Sequence, residues 1–385
     1  MFALSKRFGT IYVAALLMQL GSSLLMTYLA LRLNASGVAQ VWGGALMAAN
    51  ALGMVLGARS GYWLIGLVGH ARAFVVSAGV IVTAVLSHQL SDGLLLWLAL
   101  RFVVGAAMMG QLMVIESWLN DCAPVSRRGG AMSLYMVASY VGMMLGQLML
   151  SLGDGLHTLA LTGVAMAFAI GLIPVALHNG TQPSTINQAR IKPLLYLRRL
   201  PQSLFTILAS GLLNGCLYGL TPIFAAQLGF SPAQVGQFMA VSIAAGLLAQ
   251  LPLGKLSDHI SRITLIRATA ALLCIAYLPL AFGLASGQLW IMLAGAAIGF
   301  LQFCLYPLGV AHANDNLEPE LRVSLAGVLL MTFGIGATIG PLVAGAMMEH
   351  AGPQALYLFG IGVTAMVVCF IRNKSGVDVS LARLS

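Results

Sequence analysis

The segment Leu94–Asn120, LLLWLALRFVVGAAMMGQLMVIESWLN, decides what kind of molecule this is. It is longer than the ~20 apolar residues a helix needs to cross hydrocarbon. Yet it carries two formal charges, Arg101 and Glu116. A charge at bilayer depth is costly and normally faces a protein interior or a wet cavity. Such a helix needs others packed around it. The loop that follows, NDCAPVSRRG, ends with Arg127 and Arg128 and is the polar turn at one membrane face.

Composition agrees. Hydrophobic residues make up 59% of the chain and charged residues 8%, against about 25% charged in soluble domains. A soluble protein could not hide so much apolar surface, so the chain is expected to be a polytopic membrane protein. Glycine, 44 of 385 residues, suits the close helix approach that small residues permit in a bilayer. The five cysteines have no CxxC spacing and the seven histidines no ligand spacing. Neither a disulfide framework, a metal site nor a cofactor is expected. Lys6 and Arg7 lead straight into a full-length apolar run, so the first span itself serves as the targeting signal.

The same ruler gives twelve helical spans, at 10–31, 41–60, 73–88, 94–118, 130–151, 158–177, 203–225, 233–253, 263–284, 289–310, 324–347 and 353–371. The long unbroken runs lack the alternation of lipid-facing strands, which excludes a barrel. With both termini cytoplasmic, seventeen of the nineteen Lys and Arg residues fall on the cytoplasmic side; Arg32 is outside and Arg101 within a span. That asymmetry accounts for the +9 charge through anionic lipid headgroups, without nucleic acid. A bacterial-type inner membrane is the expected location.

The chain repeats itself. LNASGVAQVWG around Gly43 answers LGFSPAQVG around Gly236, and Leu96-Trp97 answers Leu289-Trp290, both at an offset of 193. NDCAPVSR from Asn120 answers NDNLEPELR from Asn314, and the pair Gly142/Gly146 answers Gly336/Gly340, at offsets of 194 to 195. A constant offset in chain order implies two parallel six-helix bundles. They are expected at 1–177 and 202–371, joined by a cytoplasmic linker at 178–201 and followed by a tail at 372–385.

Three local motifs then carry a resemblance. GKLSDHISR, from Gly254 through Asp258 to Arg262, is similar to the G-x-L-x-D-x-x-x-R loop of the major facilitator superfamily. RFVVG at Arg101–Gly105 resembles that family's intramembrane Arg-x-x-x-Gly, and GATIGP at Gly336–Pro341 its G-x-x-x-G-P helix bend. Within the family the chain resembles the uncharacterised YcaD-like branch, including GCLYGLTP at Gly215–Pro222 and the Glu116-Ser117 pair. Two departures stand out. The first-half copy of the loop, GYWLIGLVGHAR, has Ile65 where the Asp would fall. On the fifth helix Gln147 follows Gly146, where the family's drug/proton antiporters have the proline. That departure weakens a drug-exporter reading.

The resemblance places Arg101 at a coupling or substrate position; the alternative is that it joins helices by bonding first-helix carbonyls or Gln19. Glu116 lies 15 residues further on, ~22 Å at 1.5 Å per residue, too far to pair with Arg101. Near the basic loops, it is expected to act as a gate latch toward Arg127, Arg128 or Arg72, or else as the proton carrier, since no other carboxylate falls inside a span. The resemblance implies gating for Gly254, Asp258 and Arg262, with Asp258 receiving a helix end and Arg262 an acid, and for Gly336, Gly340 and Pro341. It also makes spans one, four, seven and ten the cavity wall. The wall candidates are Gln19, Tyr28, Gln111, Asn214, Tyr218, Gln302 and Tyr306, with His312 at the end of the tenth span; each could equally be interhelical glue.

No Walker-type loop, HExxH or GxSxG is present, so neither ATP hydrolysis nor an enzyme is expected. The expected function is secondary transport of a small organic solute by alternating access, coupled to protons, by a monomer in membrane lipid. A uniporter is the near alternative, and a non-transporting sensor or scaffold the reading from another class.

Overall fold

A computed structural model of the chain describes residues 2–124, 127–152, 159–176, 193–316 and 322–371. Its elements are α1 (Phe2–Ala35), α2 (Gln40–Val68), α3 (His70–Ser87), α4 (Leu94–Cys122), α5 (Arg128–Met149), α6 (Leu159–Ala176), α7 (Pro201–Gly219 with Thr221–Gln227), α8 (Pro232–His259), α9 (Arg262–Ala281), α10 (Gln288–Asp315), α11 (Arg322–Ala351) and α12 (Ala355–Phe370). No strand occurs among the described residues. Ten of these helices are long and apolar enough to cross a membrane; α7 adds a bent eleventh and α12 is a shorter apolar helix. A helix stands at each of the twelve expected spans, so the expected count is roughly matched.

Several helices run past the hydrocarbon thickness, so their ends extend beyond the expected boundaries. The chief difference is α7, whose two pieces meet at 44°. Pro222 opens the second piece. Proline has no N–H to bond backward and its ring crowds the preceding turn.

The helices form two sets. In one, α1 packs on α5 and α6, α2 on α4, and α3 on α4 and α6; in the other, α7 packs on α11 and α10, α8 on α10, and α9 on α10 and α12. Glycines set these approaches in a repeated pattern. A side chain at Gly142 or Gly146 of α5 would strike the Leu16 and Leu20 carbonyls of α1, and one at Gly336 or Gly340 of α11 the Leu208 and Leu212 carbonyls of α7. Likewise Gly105 of α4 lies on the Asn50 carbonyl of α2, and Gly299 of α10 on the Ser242 carbonyl of α8. The sequence repeat is therefore a repeat of backbone contacts. Between the sets, α2 packs on α11 and α5 on α8, with α1 and α7 meeting at one end.

The two ends of the bundle differ in charge. One, where α1 begins and α4 ends, carries Arg72, Arg127, Arg128, Arg198, Arg199 and Arg262 (the basic end); the other carries Arg32, Asp92 and Glu349 (the far end).

Candidate substrate site and gates

Arg101 lies seven residues inside the far end of α4 and is 2% exposed. Its Nη1 has no hydrogen-bond partner. The guanidinium lines a narrow cavity walled by Met26, Leu29 and Ala30 of α1, Gly43, Leu46 and Met47 of α2, and Tyr218 and Gly219 of α7. Gln19 is not among the residues that line it: on the antiparallel α1, Gln19 lies about two to three turns nearer the basic end than Met26–Ala30. The expected Gln19 bond is therefore absent, and the cavity wall at this level is apolar. Among the described residues, the carboxylate at this end of the first set is Asp92, already taken by Arg32 at 2.8 Å. Arg32 also donates to the Tyr28 hydroxyl at 3.1 Å and lies 5.6 Å over the Trp97 ring. Tyr28, expected in the cavity wall, belongs to this polar cap. His88 completes the cap, with its ring 5.7 Å from that of Trp97 and Nδ1 2.8 Å from the Ala84 carbonyl oxygen.

At mid-depth an aromatic bridge crosses between the two sets. The Tyr140 ring of α5 meets Phe303 of α10 edge-on at 5.5 Å, and Tyr218 lies 6.2 Å from Phe303 with its hydroxyl 4.0 Å from the Met143 sulfur. Other wall candidates are half-satisfied. Asn214 donates through Nδ2 to the Ser210 carbonyl (2.9 Å) while its Oδ1 is buried without a partner; Gln302 Oε1 accepts from the Tyr277 hydroxyl (2.8 Å) while its Nε2 is unpartnered. Gln111 Oε1 and Ser139 Oγ are also buried without partners. In contrast, a network joining α1 to α5 is complete. Thr27 donates to Gln147 Oε1 (2.9 Å), Gln147 Nε2 donates to the Ser23 hydroxyl (2.8 Å), and that hydroxyl donates to the Met143 carbonyl (2.7 Å). Gln147 thus ties two helices together where the antiporter pattern has a proline.

Toward the basic end, Glu116 is partly buried and within electrostatic reach of the Tyr135 hydroxyl on α5 and of Tyr306 on α10, in the opposite set. No ion pair joins it to Arg72, Arg127 or Arg128, so the expected latch is not a contact of this state. Arg127 is exposed and Arg128 Nε is buried without a partner. Tyr306 stacks edge-on against Phe333 at 5.1 Å. His312 is held within its own set by the Ser203 hydroxyl, 2.6 Å from Nδ1. Arg262 meets its acid: Nε lies 3.0 Å from Asp315 Oδ2 at the end of α10, and Nη1 bonds the Ser257 hydroxyl. The first-set counterpart is His70 within electrostatic reach of Asp121. Gly254 and Asp258 fall on α8, but their surroundings lie outside the described residues.

The far end is shut. A side chain at Gly44 of α2 would strike the Pro341 carbonyl of α11, and one at Gly236 of α8 the Gln147 carbonyl of α5. Three hydrogen bonds join the sets there: Gln227 Nε2 to Asn34 Oδ1 (3.5 Å), the Ser151 hydroxyl to the Ala233 carbonyl (3.3 Å), and the Gln40 backbone N–H to Glu349 Oε2 (2.7 Å). The last is a helix cap supplied from the other set. The start of α8 is capped by its own Ser231, in a reciprocal box with Gln234. At the start of α2 the equivalent Ala39 offers no side-chain acceptor, and Glu349 takes the place.

A sequence model of the Major Facilitator Superfamily matches residues 203–381. A curated relative, the "Uncharacterized MFS-type transporter YcaD" of Salmonella paratyphi A, is 25% identical over 379 residues, 98% of each chain. The chain is thus similar to the Major Facilitator Superfamily, through the sequence model over its C-terminal half and through curated relatives over its length. Among solved structures, nucleoside transporter NupG superposes with a TM-score of 0.78 at 14% identity, covering 94% of this chain and 97% of that one. A bacterial homologue of the lysosomal transporter Spinster, described as inward-facing and unoccupied, superposes with a TM-score of 0.70 at 16% identity, covering 96% and 94%. These likenesses and the many long apolar helices fit an integral multi-pass membrane protein similar to MFS-type transporters.

Its gate residues Gly44, Gly236 and Glu349 were not singled out by sequence reasoning. One signal was available: SPAQ before α8 is a capping box and its repeat partner GVAQ before α2 is not. An uncapped helix start asks where its first N–H groups go.

Proposed function

We propose that the chain moves a small organic solute across a bacterial-type inner membrane by alternating access, as a proton-coupled secondary transporter. In this reading the basic end and both termini face the cytoplasm, and the segments 1–177 and 202–371 rock about a central solute pocket. The observation that carries it is the asymmetry of the cross-set contacts. Three cross-set hydrogen bonds and the tight glycine approaches close the far end, while Glu116 near the basic end holds no ion pair among the described residues. A closed outer gate above a wall of half-satisfied polar groups is what one state of such a cycle requires. Glu116 is the proton-linked group: it is the carboxylate set inside a span, and it faces both sets through Tyr135 and Tyr306.

Counterflow in proteoliposomes tests this. Wild type should exchange labelled solute, and Glu116→Gln should lose pH-driven uptake while retaining counterflow. A Glu116→Gln variant that still concentrates solute down a proton gradient takes the coupling role away from Glu116. Absence of any exchange by the wild type, across a metabolite panel that stabilises it, would favour the non-transporting sensor.

A further inference from the structure

We propose that the solute is an organic monoanion, its anionic group seated on Arg101 and its apolar body against Met26, Leu29, Leu46 and Met47. This rests on the transport reading above and names the substrate class of that same site. Arg101 is buried, its Nη1 has no partner, and it opens onto a cavity whose other side chains are apolar apart from the Tyr218 hydroxyl. Among the described residues, no fixed carboxylate neutralises it. Asp92 is engaged by Arg32, and Glu116 is ~22 Å away along the same helix. The other charged or titratable side chains of the neighbouring cap are Arg32, a cation, and His88, which supplies no negative charge.

A buried cation without a partner is expensive, and the protein has not offset that cost internally. A mobile anion would do so on arrival, through the forked donor geometry that arginine offers a carboxylate. The cavity is so narrow, with room for little more than one water-sized group, that only a compact group fits beside the guanidinium. The anionic head therefore enters first, and the flexible methionine and leucine walls yield to the body behind it. A polyanion is disfavoured, because one guanidinium in an apolar wall can satisfy one charge only.

The test uses the full-length protein in nanodiscs at neutral pH. Thermal unfolding is followed with 3-phenylpropionate, hexanoate and octanoate, with their primary amides, and with sodium chloride or sulfate at equal ionic strength. At least one carboxylate should raise the unfolding temperature of the wild type. Its amide should bind at least about tenfold more weakly, the loss expected for a hydrogen bond to a charged group. The carboxylate shift should vanish in Arg101→Gln, whose folding is confirmed by its own cooperative transition. Equal shifts from acid and amide, equal shifts from inorganic anions, or a carboxylate shift that survives in Arg101→Gln would each overturn the proposal. Counterflow on the same preparation separates it from the transport reading. Exchange of neutral or cationic solutes with no carboxylate binding overturns the anion proposal alone. Carboxylate binding at Arg101 without any exchange supports the anion site and overturns transport.

Discussion

Arg101 could be a structural bolt between helices or a functional group held ready, and the two make opposite predictions about stability. A bolt would have partners; Arg101 Nη1 has none and the residue is buried. Replacing it with a methionine of similar reach should therefore leave stability unchanged or raise it by about 1–3 kcal/mol, the cost of an unmet buried polar group. Transport should be lost in the same variant. Chemical unfolding in detergent, read beside counterflow, decides the matter: a clear drop in stability for Arg101→Met would return the residue to a structural role. Gln147 is the contrasting case. Its amide is satisfied on both atoms by Thr27 and Ser23, so there the bolt is the right description.

Among the helices, the two starts that face each other across the repeat are built differently. α8 begins with its own capping box at Ser231 and Gln234, whereas α2 begins at Gln40 with an N–H donated to Glu349 of the opposite set. A carboxylate near a helix N-terminus contributes roughly 0.3–1 kcal/mol, and here the contribution exists only while the far end is closed. Glu349→Gln should consequently lower the ratio of far-end-closed to far-end-open molecules by about two- to fivefold. Gly44→Leu should do more, because its side chain would collide with the backbone at Pro341. Spin labels at Ser36→Cys and Leu228→Cys, in a background lacking the native cysteines, would report the distance distribution. An unchanged distribution in both variants would mean that these contacts do not hold the gate.

For the molecule as a unit, transport requires the two sets to part at the far end. Asn34 and Gln227 side chains lie 3.5 Å apart across that seam, so Asn34→Cys with Gln227→Cys, in a background lacking the native cysteines, should be bridged through two disulfides by a short bis-methanethiosulfonate. The bridged protein should bind but not exchange solute, and reduction should restore exchange to the level of the unbridged variant. Wild-type exchange by the bridged form would exclude rocking about this seam. The fully connected α1–α5 network lies inside a single set; it is expected to persist through the cycle.

The residues alone were enough to establish the helical nature of the spans, their approximate number and the internal repeat. Apolar length is a local property measured against a constant bilayer thickness, and a constant offset such as Gly142/Gly146 to Gly336/Gly340 needs no coordinates. That Arg101 and Glu116 are turned inward followed from the price of charge in lipid. Folding had to decide the pairings. Arg262 taking Asp315, His312 taking Ser203, and Tyr28 leaving the cavity for the Arg32 cap depend on which helix faces lie side by side. The closed end was equally hidden, because one sequence encodes both states of a rocking bundle. Only contacts such as that of Glu349 with Gln40, residues 309 positions apart, distinguish them.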